Sequence, residues 1–194
     1  RQDRGSHYLT APLSCRQCGM NLNKTVALVG MMGAGKTSLG RRLAARLEVP
    51  FRDADHEIES AASLTVSEIF EKFGEPYFRD GERRVISRLL TESPHILATG
   101  GGAYMDPTTR AALKEKAFTI WLKAPIEFLV SRVKKRDTRP LLRGGDLKDT
   151  IEKLLAEREP VYAEADMTLE YDDGSHTHAM DRILEALTAQ GLVV

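Results

Sequence analysis

Apolar residues along this chain switch between short unbroken runs and stripes spaced by three or four. The run over 25–29, Thr-Val-Ala-Leu-Val, is rich in β-branched residues and ends in a Gly-rich turn, the pattern of a buried strand. Over 36–47, Leu39, Leu43 and Leu47 recur every four residues and predict one apolar helix face. Residues 50–53 are expected to form a second short strand that ends at Asp53. Helical periodicity returns over 65–73 and again over 82–90, with Thr65 and Glu68 placed as a capping box. A third strand is expected over 95–99, running into Gly100-Gly101-Gly102. Residues 107–116 read as a helix with Asp106 as cap and Pro107 at its first position. A fourth strand over 118–122, helices over 126–135 and 147–162, a weak fifth strand over 167–170 and a closing helix over 178–187 complete the pattern.

Five strands alternating with helices predict parallel strands joined by right-handed crossovers, with helices on both faces. The expected fold is therefore α/β, a three-layer α/β/α arrangement around a five-stranded parallel sheet. At 194 residues the chain fits one domain with a single core. Hydrophobic residues at 42% and charged residues at 29% are globular usage, which excludes a disordered or membrane-embedded chain. Lys plus Arg equals Asp plus Glu, 28 each, so no bulk field attracts nucleic acid or anionic lipid, and anion binding must come from local clusters. Neither nucleic acid nor membrane is an expected partner, and the chain is read as cytoplasmic and monomeric.

Residues 1–23 are set apart as an N-terminal extension, and residues 24–194 are read as one domain. The extension is polar and lacks the apolar segment of a signal peptide. It begins with Arg1, and its Gly5-Ser6-His7 suits a cloning scar as well as a natural sequence, so it is expected to be flexible or partly of cloning origin. Within the domain, residues 134–146 stand out. Lys134, Lys135, Arg136, Arg139 and Arg143 cluster around Pro140 and end in Gly144-Gly145, the composition of a mobile basic lid.

Candidate chemistry starts at residues 30–37, Gly-Met-Met-Gly-Ala-Gly-Lys-Thr, which satisfy G-x-x-x-x-G-K-[ST] between an expected strand and an expected helix. Glycines let backbone N–H groups turn inward as an anion nest, and the helix N-terminus adds partial positive charge. Gly33, Ala34, Gly35, Lys36, Thr37 and Ser38 are the expected ATP-binding residues. Lys36 would reach the β- and γ-phosphates, and Thr37 would offer its hydroxyl to Mg²⁺. Asp53 and Asp55 follow the second strand at spacing two, so in extended backbone both face one side, at the strand end where open α/β sheets bind ligands. One would hold Mg²⁺ through water and the other would accept a proton from an attacking hydroxyl. Asp55 also suits the cap of a helix starting at His56, and the two roles are compatible. The three glycines at 100–102 fit either close approach of a ligand to the backbone or a wide turn. Position alone does not single out Arg79, Arg139 or Arg158. Cys15 and Cys18 form a CxxC with no second pair at metal-ligand spacing, so zinc and redox roles are not expected.

Taken together, the motifs resemble shikimate kinase over about residues 24–190. The loop at 30–37 resembles that family's GxMGxGK[ST], with Met32 in place. Phe51-Arg-Asp53-Ala-Asp55 is similar to its D-x-D, and residues 74–82 resemble its GE-x-x-FR-x-x-E segment. Gly100-Gly101-Gly102 matches its glycine triplet, Arg139-Pro-Leu-Leu142 its lid RPLL, and Arg158-Glu-Pro-Val-Tyr162 its R-x-P-x-Y. The resemblance implies an adenylate-kinase-like P-loop fold and ATP-dependent phosphorylation of the 3-hydroxyl of shikimate, in aromatic amino-acid biosynthesis. It further implies that Asp55 bonds the ring hydroxyls and can act as base, and that Arg79 and Arg158 hold the substrate carboxylate. Gly101 and Gly102 would lie close to the ring. Lys36 and Arg139 would stabilise the transferring phosphoryl, Thr37 and Asp53 would hold Mg²⁺, the Asp through water, and Arg132 would lie near adenine. Two departures are Thr37-Ser38, where many relatives have Ser-Thr, and the extension with its CxxC.

A rival in the same fold is another small-metabolite kinase such as a gluconate kinase, which has no use for an arginine pair beside Asp55. A rival in another class is a nucleotide-binding switch module, which has no need of a base or a lid arginine.

Overall fold

The computed structural model describes residues 22–135, 146–171 and 176–193. Five parallel strands form one sheet in the order β2-β3-β1-β4-β5. They are β1 Thr25–Val29, β2 Phe51–Asp53, β3 Ile96–Ala98, β4 Ala117–Lys123 and β5 Met167–Glu170. Among the described residues seven α-helices accompany them: α1 Lys36–Leu47, α2 Ala54–Ala62, α3 Val66–Leu89, α4 Pro107–Lys116, α5 Ile126–Lys134, α6 Leu147–Tyr162 and α7 His176–Ala189. None of them is long and apolar enough to cross a membrane.

β1 lies at the centre because every one of its residues is buried, as a strand covered on both faces requires. Its register aligns three chemically loaded strand ends. Leu28 pairs with Ala98 of β3, and Ala98 pairs with Asp53 of β2. The loops leaving β1, β2 and β3 therefore emerge side by side. They are the Gly-rich turn at 30–37, the Asp53–Asp55 segment and the glycine triplet. β4 lies on the other side of β1, so strand order reverses beside the Gly-rich turn, the place where such sheets bind ligands.

α1 buries Lys36, Leu39, Gly40, Leu43, Ala44 and Leu47, the four-residue stripe expected from the sequence. The capping box at Thr65 is present, with the Thr65 hydroxyl accepting from Glu68 N–H and the Glu68 carboxylate accepting from Thr65 N–H. Asp106 caps α4, ahead of Pro107 at its first turn.

Two expectations need correction. The helices expected over 65–73 and 82–90 are halves of α3, broken by Gly74 at φ 81° and ψ 170° and resumed at once. Gly74 can hold that left-handed φ, and Pro76 suits the first turn of the renewed helix. Residues 75–81 are thus helical, although Gly74, Pro76 and Gly81 obscure the periodicity. Second, the helix after β2 starts at Ala54 and its cap is Asp53, whose carboxylate accepts from the N–H groups of Asp55 and His56. Asp55 belongs to the first helical turn, not to extended backbone or to a cap.

The core is continuous across the sheet, but α2 and the first half of α3 have a separate cluster of Ile58, Ile69 and Phe78. The Phe70 and Phe78 rings meet there with centroids 4.7 Å apart. This small unit stands off the sheet edge and forms one wall of the cleft described next.

Candidate active site

A cleft of about 450 Å³ opens over the aligned ends of β1, β2 and β3. That volume suits a small metabolite rather than a polymer. Its floor carries Met32, Thr37, Asp53 and the glycine triplet; its walls carry Asp55, Phe70, Phe78, Arg79, Glu82 and Arg158.

On the nucleotide side, Gly30, Gly33 and Gly35 have φ of 130°, 81° and 92°, so the turn at 30–37 takes the backbone course that exposes amides inward. Gly35 serves as the N-cap of α1 without any side-chain cap, which leaves the helix's first N–H groups for an anion. Lys36 is buried and donates to the carbonyls of Gly30 and Met31, each at 2.8 Å. Its ammonium is thereby held over the turn. Thr37 donates its hydroxyl to Asp53 Oδ2 at 2.7 Å, while Asp53 Oδ1 holds the start of α2. One carboxylate thus ties the two helix N-termini together and sets a hydroxyl beside an acidic oxygen.

Gly33 and Gly35 are also pressed from outside. A Cβ on Gly33 would meet Arg132 Cβ at 3.4 Å, and one on Gly35 would meet the Tyr171 ring at 2.8 Å. Arg132 lies over the Phe128 ring, 5.1 Å from its centroid, and Phe128 meets Tyr171 edge-on. The structure therefore places Arg132 beside the loop and over the Phe128 ring, and it does not line the acceptor cleft. Ser38 is exposed in the first turn of α1. Arg139, and all but the ends of the expected lid, lie outside the described residues, as does the extension with Cys15 and Cys18.

On the acceptor side, Arg79 sits in the stretch of α3 that restarts after Gly74. Its Nη1 donates to Glu82 Oε2 at 2.7 Å, and its Nε and Nη2 donate to Glu75 Oε1 at 3.2 and 3.1 Å. These are i+3 and i−4 neighbours on one helix face. Burial works against the Arg79 charge, but Glu82 and Glu75 outweigh it, and its pKa is raised. Glu82 is 2% exposed, and its Oε1 has no hydrogen-bond partner among the described residues. Burial pushes its pKa up; Arg79 opposes that shift, while Asp55 and Asp106 add to it. Glu82 is therefore a buried carboxylate that holds the arginine and lies near a second carboxylate.

The glycine triplet separates these groups. A Cβ on Gly100 would sit 2.5 Å from Glu82 Oε1 and 2.8 Å from Asp55 Oδ1. One on Gly102 would meet both terminal nitrogens of Arg79 at 2.6 Å. What comes close to the backbone at Gly100 and Gly102 is the protein's own Glu82, Asp55 and Arg79 side chains. From the far side, Arg158 of α6 donates Nη1 to the Gly101 carbonyl at 3.2 Å, and Tyr162 donates its hydroxyl to the same oxygen.

The structure thus brings Asp55, Arg79, Gly101, Gly102 and Arg158 around one cleft, with Thr37 and Asp53 at its border with the nucleotide loop. Sequence reasoning left Glu75, Glu82 and Tyr162 without roles. The helical spacing of Glu75, Arg79 and Glu82 was a usable signal, hidden by the glycines that masked the helix. Tyr162 reaches Gly101 across 61 positions, which no spacing shows.

A family model for shikimate kinase matches residues 32–188. A shikimate kinase of Caulobacter vibrioides is 56% identical over 164 residues, covering 84% of this chain and 82% of that protein. One from Cereibacter sphaeroides is 47% identical over 175 residues, covering 90% and 88%. Among solved structures, a shikimate kinase from Acinetobacter baumannii in complex with shikimate superposes with a TM-score of 0.84 at 38% identity, covering 87% of this chain and 95% of that one. A gluconokinase from Sinorhizobium meliloti reaches a TM-score of only 0.53 at 17% identity, a likeness of fold alone. With the family model spanning most of the chain and relatives this similar across it, the chain belongs to the shikimate kinase family.

Proposed function

We infer that this protein transfers the γ-phosphoryl group of ATP to the 3-hydroxyl of shikimate, giving shikimate 3-phosphate and ADP, as a cytoplasmic step of aromatic amino-acid biosynthesis. The observation that carries the reading is a phosphate-binding loop that shares one cleft with Arg79, Arg158 and Asp55. Two guanidinium groups suit a planar carboxylate, and an aspartate beside them suits the hydroxyls of a ring held by that carboxylate.

The residues divide the work as follows. The amides of Gly33, Ala34, Gly35, Lys36, Thr37 and Ser38 receive the phosphates, and Arg132 bounds the adenine side. Lys36 exchanges its two backbone carbonyls for phosphate oxygens, where its charge offsets the charge of the transferring group. Arg139, which lies outside the described residues, is the second cation of that group. The hydroxyl of Thr37, and the carboxylate of Asp53 through water, are hard oxygen groups that would hold Mg²⁺. When bound, Mg²⁺ would supply charge neutralisation to the phosphates.

On the acceptor, Arg79 and Arg158 fix the carboxylate while Gly101 and Gly102 let the ring lie against the backbone. Phe70 and Phe78 exclude water from one wall. Asp55 accepts the proton of the 3-hydroxyl as its oxygen bonds to the γ-phosphorus. The bond from that phosphorus to the bridging oxygen breaks, and ADP leaves with the electron pair. Most of the acceleration comes from alignment and charge neutralisation, since phosphoryl transfer leaves little covalent work for the protein.

An ADP-release assay with Mg²⁺ and shikimate, gluconate or no acceptor tests the reading. Turnover is expected with shikimate alone. Turnover with gluconate and none with shikimate would overturn it.

A further inference from the structure

Tyr162 is fully buried at the last turn of α6, and it is neither a nucleotide nor a cleft residue. Its ring stacks on Trp121 of β4 with centroids 5.9 Å apart, which accounts for the aromatic body. The hydroxyl needs a separate account, because a buried phenol must find a partner. It finds the carbonyl of Gly101, and on its other side the Met31 sulfur lies at 3.9 Å. Burial raises the phenol pKa to about 12, so the group remains a donor throughout the working range.

We propose that Tyr162 is a positioning residue for the acceptor, acting through the Gly101–Gly102 peptide. That carbonyl accepts from two side chains of one helix, the Tyr162 hydroxyl and Arg158 Nη1 at 3.2 Å. A peptide is planar, so fixing the carbonyl towards α6 also fixes the direction of Gly102 N–H on the opposite edge. Gly102 is the residue whose missing Cβ leaves room for the Arg79 guanidinium. The same phenol therefore sets the peptide on which Arg79 rests and shares an acceptor with Arg158. The triplet has little rigidity of its own, since glycine backbones are the least restrained. A Cβ on Gly101 would come within 3.1 Å of Met32 N, room that the glycine itself leaves open beside the phosphate-binding loop. Rotation of this peptide would misplace the acceptor carboxylate while leaving the nucleotide loop intact.

The proposal rests on the shikimate reading, and one kinetic comparison separates the two. In Tyr162→Phe the ring stays on Trp121 and only the donor is lost. The shikimate KM is expected to rise about fivefold, the usual effect of one buried neutral hydrogen bond. The ATP KM and kcat should change less than twofold. Combining it with Arg158→Lys should give losses that are not additive, because both donors serve one oxygen. An unchanged shikimate KM, or equal rises for both substrates, would overturn the positioning role. Should Tyr162→Phe fail to fold, 4-aminophenylalanine and 4-fluorophenylalanine at position 162 decide it, since both fill the space but only the amine donates. A raised shikimate KM is then expected for the fluoro form alone, and equal KM values would overturn the proposal. Failure of the unaltered protein to phosphorylate shikimate would instead sink the functional reading.

Discussion

Arg79 and Glu82 form a partly buried ion pair one helical turn apart, with Nη1 donating to Oε2 at 2.7 Å while the other carboxylate oxygen has no hydrogen-bond partner among the described residues. The pair aims the guanidinium across Gly102 into the cleft. Replacing Arg79 strands Glu82 and, on the proposed reading, removes a charge-assisted contact to the substrate carboxylate. Arg79→Ala is expected to raise the shikimate KM by about 30-fold or more, the scale of losing one partner of a buried charged pair. ATP binding should be nearly intact. Steady-state kinetics with each substrate varied in turn checks this, and equal losses for both would contradict the carboxylate role.

Glu82 gives a pH prediction. Its folded pKa lies above the ordinary 4.5, chiefly through burial. The protonated form is thus favoured in the fold. Its contribution to stability is fully present below 4.5 and is lost as pH rises through the raised value. Glu82→Gln, which cannot ionise, should gain thermal stability relative to the unaltered protein as pH rises through that window. The shikimate KM should rise, because Arg79 loses its charged anchor. Melting curves across pH are the check; a constant difference between the two proteins would contradict a shifted Glu82.

Asp55 is positioned in the first turn of α2 beside Glu82, with its backbone N–H bonded to Asp53. As proton acceptor it predicts that Asp55→Asn lowers kcat by about 10²- to 10⁴-fold. ATP affinity, read by isothermal titration, should stay the same. Normal turnover in that variant would remove Asp55 as base.

Gly100 is wedged between two carboxylates, with 2.5 Å from its would-be Cβ to Glu82 Oε1 and 2.8 Å to Asp55 Oδ1. Gly100→Ala should displace both and cost about 1–3 kcal/mol by overpacking. The expected readout is a lower melting temperature together with a higher shikimate KM. Gly81, which has nothing within 4 Å of its would-be Cβ, serves as control, and Gly81→Ala should leave the KM unchanged. Similar behaviour of the two variants would contradict the steric account.

Much of this site could be read from the chain. The buried run before Gly30, the loop at 30–37 and the β–α alternation are local signals, and the strand order β2-β3-β1-β4-β5 brings their ends together. Asp53 and Asp55 were visible as a pair, but Asp53 was not visible as the helix cap. Capping depends on where the helix begins, and α2 begins one residue after the strand ends. The course of α3 was hidden by Gly74, Pro76 and Gly81, so the Glu75–Arg79–Glu82 ladder was not legible. The Tyr162 and Arg158 contacts to Gly101 exist only once α6 packs across the glycine triplet.

The central claim is a regiospecific transfer to shikimate, and the product's constitution tests it most directly. Shikimate incubated with the protein, ATP and Mg²⁺ can be followed by phosphorus–proton correlation NMR. The account predicts a single phosphate ester coupled to the proton on C3, formed with equimolar ADP. A phosphate on another hydroxyl, or ADP formed with no shikimate ester, would contradict it.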